Sequence, residues 1–169
     1  MKEDKSVLKE KINGLLKTLE SKNGLERKEA REQLVKYGRK VIGFMENEHK
    51  NENIIYRREI LKTLQQISDS SSIPIFIEAL EDEESDIRWV AAEGLIKIGP
   101  ESIEPLLKAL VKNSESVFLC AGAHHILYDL KKNNTLPFGF QADKLLSALK
   151  NPGWSGNVKT TAYELLDKV

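Results

Sequence analysis

Residues 86–110, DIRWVAAEGLIKIGPESIEPLLKAL, constrain the fold more than any other stretch, because they spell two short helices that are each apolar on one side only. Ile87, Val90, Ala91, Leu95 and Ile98 fall on one helical stripe. Gly99 and Pro100 break the helix, and Ile103, Leu106, Leu107 and Leu110 make a second stripe. Neither helix can bury its stripe alone, so the pair needs neighbours of its own kind.

Those neighbours are in the sequence. The first helix recurs 31 residues earlier, with Ile60, Leu64 and Ile67 in the places of Ala91, Leu95 and Ile98, and another 30 back with Ala30, Leu34 and Tyr37. Forward by 32 the same places hold Ala123, Leu127 and Leu130, and a further 39 gives Ala162, Leu166 and Val169. The partner helix repeats through Ile12, Leu15, Leu16 and Leu19; Val41, Phe44 and Met45; Ile73, Phe76, Ile77 and Leu80; and Ala142, Leu145, Leu146 and Leu149. Pro74 and Pro105 sit in first turns, where a missing N–H costs little. Ser85 or Asp86 is the expected cap of the central helix, and the acids at residues 81–84 face the positive end of its dipole.

The motif of an acidic loop, an aliphatic-Arg pair, Ala and Leu at fixed steps and then Ile-Gly is carried here by Glu81 to Glu84, Ile87 and Arg88, Ala91 and Ala92, Leu95, and Ile98 and Gly99. It resembles the HEAT repeat family, in particular its short bacterial HEAT-like variety, also named for phycobilisome lyases. The ankyrin and tetratricopeptide signatures are absent. The resemblance implies an all-α superhelix, a right-handed solenoid of about five helical hairpins in a single domain over residues 1–169. The hairpins fall at approximately 5–38, 39–68, 71–99, 101–132 and 141–169. The match fades outward, since Cys120 and Lys159 replace the repeated arginine.

Composition sets the class of partner. Forty per cent of residues are apolar and 31 per cent charged, the balance of a globular protein. Twenty-six basic residues meet 26 acidic ones, so no global charge draws the chain to nucleic acid or membrane. The charged N-terminus has no core of the kind a secretory signal needs, and a lone Cys120 allows no internal disulfide. A cytoplasmic protein is expected, without membrane association.

No set of side chains is spaced for catalysis, and no cofactor or metal is called for. His124 and His125 are adjacent on a helix and diverge by about 100°. Cys120 and His124 share a face, but a third and fourth ligand are missing. Among enzymes of similar architecture, the iron-dependent hydroxylases carry His-Glu dyads, and no histidine here is followed by glutamate. A bilin-lyase-like activity would have Cys120, His124 and Tyr128 on one helical line as its only candidates.

The resemblance implies that helices of the first type line the concave surface. Beside the core stripe they carry three rows: Arg27, Arg57, Arg88, Cys120, Lys159; Lys28, Arg58, Trp89, Ala121, Thr160; and Arg31, Leu61, Ala92, His124, Tyr163. Seven of these are basic and none acidic. One interpretation makes Arg27, Lys28, Arg57, Arg58, Arg88 and Trp89 a binding surface for an acidic protein segment, with an aromatic anchor flanked by arginines. Another makes the arginines a structural ladder to the loop acids, with Glu32 and Glu93 diluting the field. The expected function is thus a non-enzymatic protein-binding scaffold, with nucleic acid on the same basic face, and base-repair-like chemistry with it, as the alternative. The fourth copy carries extra residues at 133–141, NNTLPFGFQ, whose Leu136, Phe138 and Phe140 either fold back on the hairpin or serve a partner. Trp154 likewise either seals the last inter-helix turn or serves a partner.

The helix phase makes a direct prediction. Leu95→Ala should cost on the order of 2 to 5 kcal/mol in denaturant melts, and Lys97→Ala little. Equal losses would place the stripe on the wrong side of the helix.

Overall fold

The computed structural model describes residues 5–150 and 155–168, with side chains of all but 155 and 156. Trp154 lies outside the described residues. Ten α-helices and four 3-10 turns account for the regular structure of the described residues, with no strand. The helices are α1 (Lys5–Thr18), α2 (Gly24–Lys36), α3 (Ile42–Met45), α4 (Ile54–Ile67), α5 (Ile73–Ala79), α6 (Ser85–Ile98), α7 (Ile103–Lys112), α8 (Val117–Lys132), α9 (Ala142–Leu149) and α10 (Ser155–Leu166). The chain is an all-α solenoid. No helix among the described residues is long and apolar enough to cross a membrane.

The repeated core positions are where periodicity puts them. Ala30 and Leu34, Ile60 and Leu64, Ala91 and Leu95, and Ala123 and Leu127 are all buried. Because equivalent stripes face the same way, α2, α4, α6 and α8 lie side by side in one row. Behind it α5 packs on α6 and α7, and α1 packs on α2. The two layers approach closely at glycines. A Cβ on Gly94 would stand 2.5 Å from the buried ring of Phe76, and one on Gly122 would stand 2.8 Å from Leu80 Cδ2.

Helix starts follow local chemistry. Asn23 accepts from the Leu25 N–H, Asn53 from the N–H groups of Ile55 and Tyr56, and Ser116 from that of Leu119. The central helix departs from expectation. Glu84 occupies its cap position without a side-chain bond, while Asp86, inside the first turn, pairs with Arg58. Pro74 stands in the first turn of α5 as expected.

Two elements differ from the sequence pattern. The partner helix of the second copy shrinks to the single turn α3 between 3-10 turns at Gly38–Val41 and Glu48–Lys50. Only Val41, Ile42 and Met45 are apolar and buried there before a polar run begins, so little remains to anchor a longer helix. At the other end α9 packs against α8, and α10 packs against α7 and α9. The last pair has exchanged places: α10 joins the layer behind, although Ala162 aligns with the row in front. The 133–141 connection permits the exchange. Thr135 closes α8 by donating to the Leu130 carbonyl, Asn134 and Gly139 take positive φ, and Phe140 and Leu136 fold onto the core. Phe138 is fully exposed.

Gly94→Ala tests the layer contact. Helix propensity alone would favour alanine by about 1 kcal/mol, but overpacking against Phe76 should outweigh it and leave a net loss of roughly 1 to 2 kcal/mol. Adding Phe76→Leu should recover part of the loss; a stabilised single variant would refute the close approach.

Candidate functional site

The arginine row is occupied by the chain itself. Arg27, Arg57 and Arg88 each stand at the same step of their helices, and each Nη1 donates, at 2.7 Å, to the carbonyl six residues back: Ser21, Asn51 and Asp82. Cys120 holds the same place in the fourth copy and its thiol donates to Ser114 at 3.4 Å. The device satisfies a carbonyl of the loop that turns the chain into each helix.

Carboxylates of the next repeat take up the charge of Arg27 and Arg57. Arg57 grips Asp82 through Nε at 3.0 Å and Nη2 at 3.1 Å, with both side chains nearly buried. Arg27 and Arg31 converge on Glu59, a buried carboxylate, and Arg58 donates to Asp86 at 2.7 Å. These are ladder contacts. Lys28 differs, being exposed and loosely set against Glu32 at 3.9 Å.

Arg88 and Trp89 form the outward part of the set. Arg88 reaches the carbonyls of Asp82 and Glu83, and its guanidinium lies 3.9 Å from the centroid of the Phe118 ring. Trp89 is 58% exposed, and its indole lies on His125 with centroids 4.7 Å apart and planes 27° apart. His125 is held from the other side by Glu93 at 3.0 Å. One α6 residue and one α8 residue are thereby fixed flat on the surface.

The expected line of Cys120, His124 and Tyr128 does not act together. Cys120 is buried, and desolvation with the nearby Glu81 pushes its thiol up, away from the thiolate that nucleophilic chemistry needs. His124 and Tyr128 instead line a groove between α8 and α9, with Lys131, Lys132, Lys150 and Leu146. Desolvation first, then Lys150 and His125, hold the His124 imidazole below the ordinary histidine range. Sequence reasoning missed the lysines of this groove, since their meeting depends on α9 lying beside α8. The sequence places His49 alone in a polar loop, whereas the structure buries it and bonds it to Glu78 at 3.1 Å. Among the described residues no group of three or more His, Cys, Asp or Glu side chains is placed to hold a metal ion.

Residues 44–121 match the family model of HEAT repeats. No curated protein and no solved structure matches the chain.

The difference between ladder and surface is measurable. Arg57→Ala strands the nearly buried Asp82 and should cost about 3 kcal/mol, whereas Lys28→Ala should cost under about 0.5 kcal/mol. Urea melts of the two variants would expose an error if both proved neutral.

Proposed function

We propose, for a chain whose residues 44–121 match the HEAT repeat family, a non-enzymatic scaffold that binds a partner protein across the outward sides of the row helices α2, α4, α6 and α8, anchored on α6. HEAT repeats generally mediate protein interaction. The observation that carries the choice of surface is Trp89, open to solvent yet held flat by His125. A large side chain already ordered loses little freedom when a partner covers it, which is the property of an interface anchor.

The cations along the row helices suit a partner segment with acidic residues beside its apolar contact. Arg88 carries its guanidinium over Phe118, Arg58 is a third exposed, and Lys28 is open. Arg27 and Arg57 contribute less, because their charge is spent on Glu59 and Asp82. The same pairing weakens the case for nucleic acid: a phosphate backbone needs a row of uncompensated cations, and this row is largely neutralised from within. A lyase role draws no support from a buried thiol with a raised pKa.

Capture of partners from native lysate on the immobilised chain tests the surface. Trp89→Ala should weaken capture by about 2 kcal/mol, roughly thirtyfold, with the melting temperature nearly unchanged. Reversing Lys28 and Arg58 to Glu together should abolish retention of an acidic partner. Retrieval of the same proteins by the Trp89 variant would move the interface elsewhere, and a steep, uniform loss with salt would favour nucleic acid.

A further inference from the structure

The groove between α8 and α9 lies apart from the Trp89 surface and has its own chemistry. It encloses about 360 Å³, within the range of small-ligand sites. Lys131 is bound to Asp143. Lys132 and Lys150 have no ion-pair partner among the described residues, so three lysines against one aspartate leave two positive charges in excess. The other wall is ring and hydrocarbon: Tyr128, more than half exposed, lies parallel to His124 with planes 8° apart, and Leu146 sits beside them. The Nε2 of His124 is buried beneath the groove with no hydrogen-bond partner among the described residues.

We propose that this groove binds a phosphate monoester carried on a flat ring. Two surplus ammonium charges match a dianion, where a single carboxylate would neutralise only one of them. Terminal phosphate oxygens can accept from Lys132, Lys150 and the Ser147 hydroxyl. The ring of the ester lies on the open face of Tyr128. A metal ion is disfavoured by the same lysines. This inference stands independently of the scaffold function, since none of these residues touches Trp89.

Titration of the full chain in phosphate-free buffer, followed by side-chain NMR and calorimetry, decides it. Phenyl phosphate should saturate, shift the ring signals of His124 and Tyr128, and bind at least about tenfold more tightly than inorganic phosphate. Lys132→Glu with Lys150→Glu should weaken it by about tenfold or more while leaving the melt as in the wild type, since both lysines are exposed. Should that reversal lower the melting temperature, Lys132→Gln with Lys150→Gln serves in its place. Tyr128→Ala should remove the advantage over inorganic phosphate and leave inorganic phosphate binding intact. Ranking adenosine monophosphate against O-phosphotyrosine then separates a free nucleotide from a phosphorylated side chain as the source. Failure of phenyl phosphate to saturate at millimolar concentration, equal binding by the lysine variants, no advantage over inorganic phosphate, or tighter binding of tetraglutamate would each overturn the proposal.

Discussion

Each helix of this chain leaves a side uncovered that only another helix can cover, and the rest of the structure follows from how the covering is arranged. Row helices place Ala30, Ala91 and Ala123 at the shared contact, where small side chains let neighbours approach. Gly94 and Gly122 do the same for the layer behind, admitting Phe76 and Leu80 against bare backbone. Large residues then fill what the small ones leave open. Apolar burial of this kind is additive from copy to copy, so the array is held by nearest neighbours rather than by one central core.

Side-by-side helices create a second requirement, because every inter-helix loop presents carbonyls beside a dry contact. Arginine meets it well: one guanidinium serves its own loop with one nitrogen and, at Arg57, a carboxylate of the following repeat with two more. Cys120 offers a single weak donor in the same position and no charge for a neighbour. The arginine ion pairs between repeats already stop at Arg57 and Arg58, since Arg88 hydrogen-bonds only carbonyls of its own loop, while the loop bond itself continues to Cys120. Equal numbers of acids and bases are thus more than a solubility balance, since several of them are bound to each other across repeats.

Much of the fold was legible because it rests on residue spacing. The phase of Ala30, Leu34, Ile60, Leu64, Ala91, Leu95, Ala123 and Leu127 is a one-dimensional signal, and burial at those positions follows it. The site was less legible because it depends on partners. A row of arginines reads alike whether it faces solvent or Glu59 and Asp82, and only three-dimensional distance separates the cases. His49 sits in a polar run that spacing calls a loop, yet Glu78, far along the chain, makes its burial tolerable. The exchange of α9 and α10 lay beyond periodicity altogether, since Ala162 and Leu166 fit the row they do not join. Even the insertion divides, with Phe140 folded in and Phe138 turned out.

That exchange bears on how such an array can change over time. Repeat proteins commonly lengthen or shorten by duplicating or deleting whole copies, and the stretch from α2 to α8 has the translational regularity to tolerate it. The α8–α9 junction does not: its groove exists because two helices that are not equivalent under the repeat were brought side by side. A copy inserted upstream would move the groove along the molecule unchanged, whereas one inserted at the junction would restore the regular row and erase it. The irregular copy is accordingly where the helix arrangement itself carries individuality, whereas in the regular stretch individuality lies in outward side chains such as Trp89.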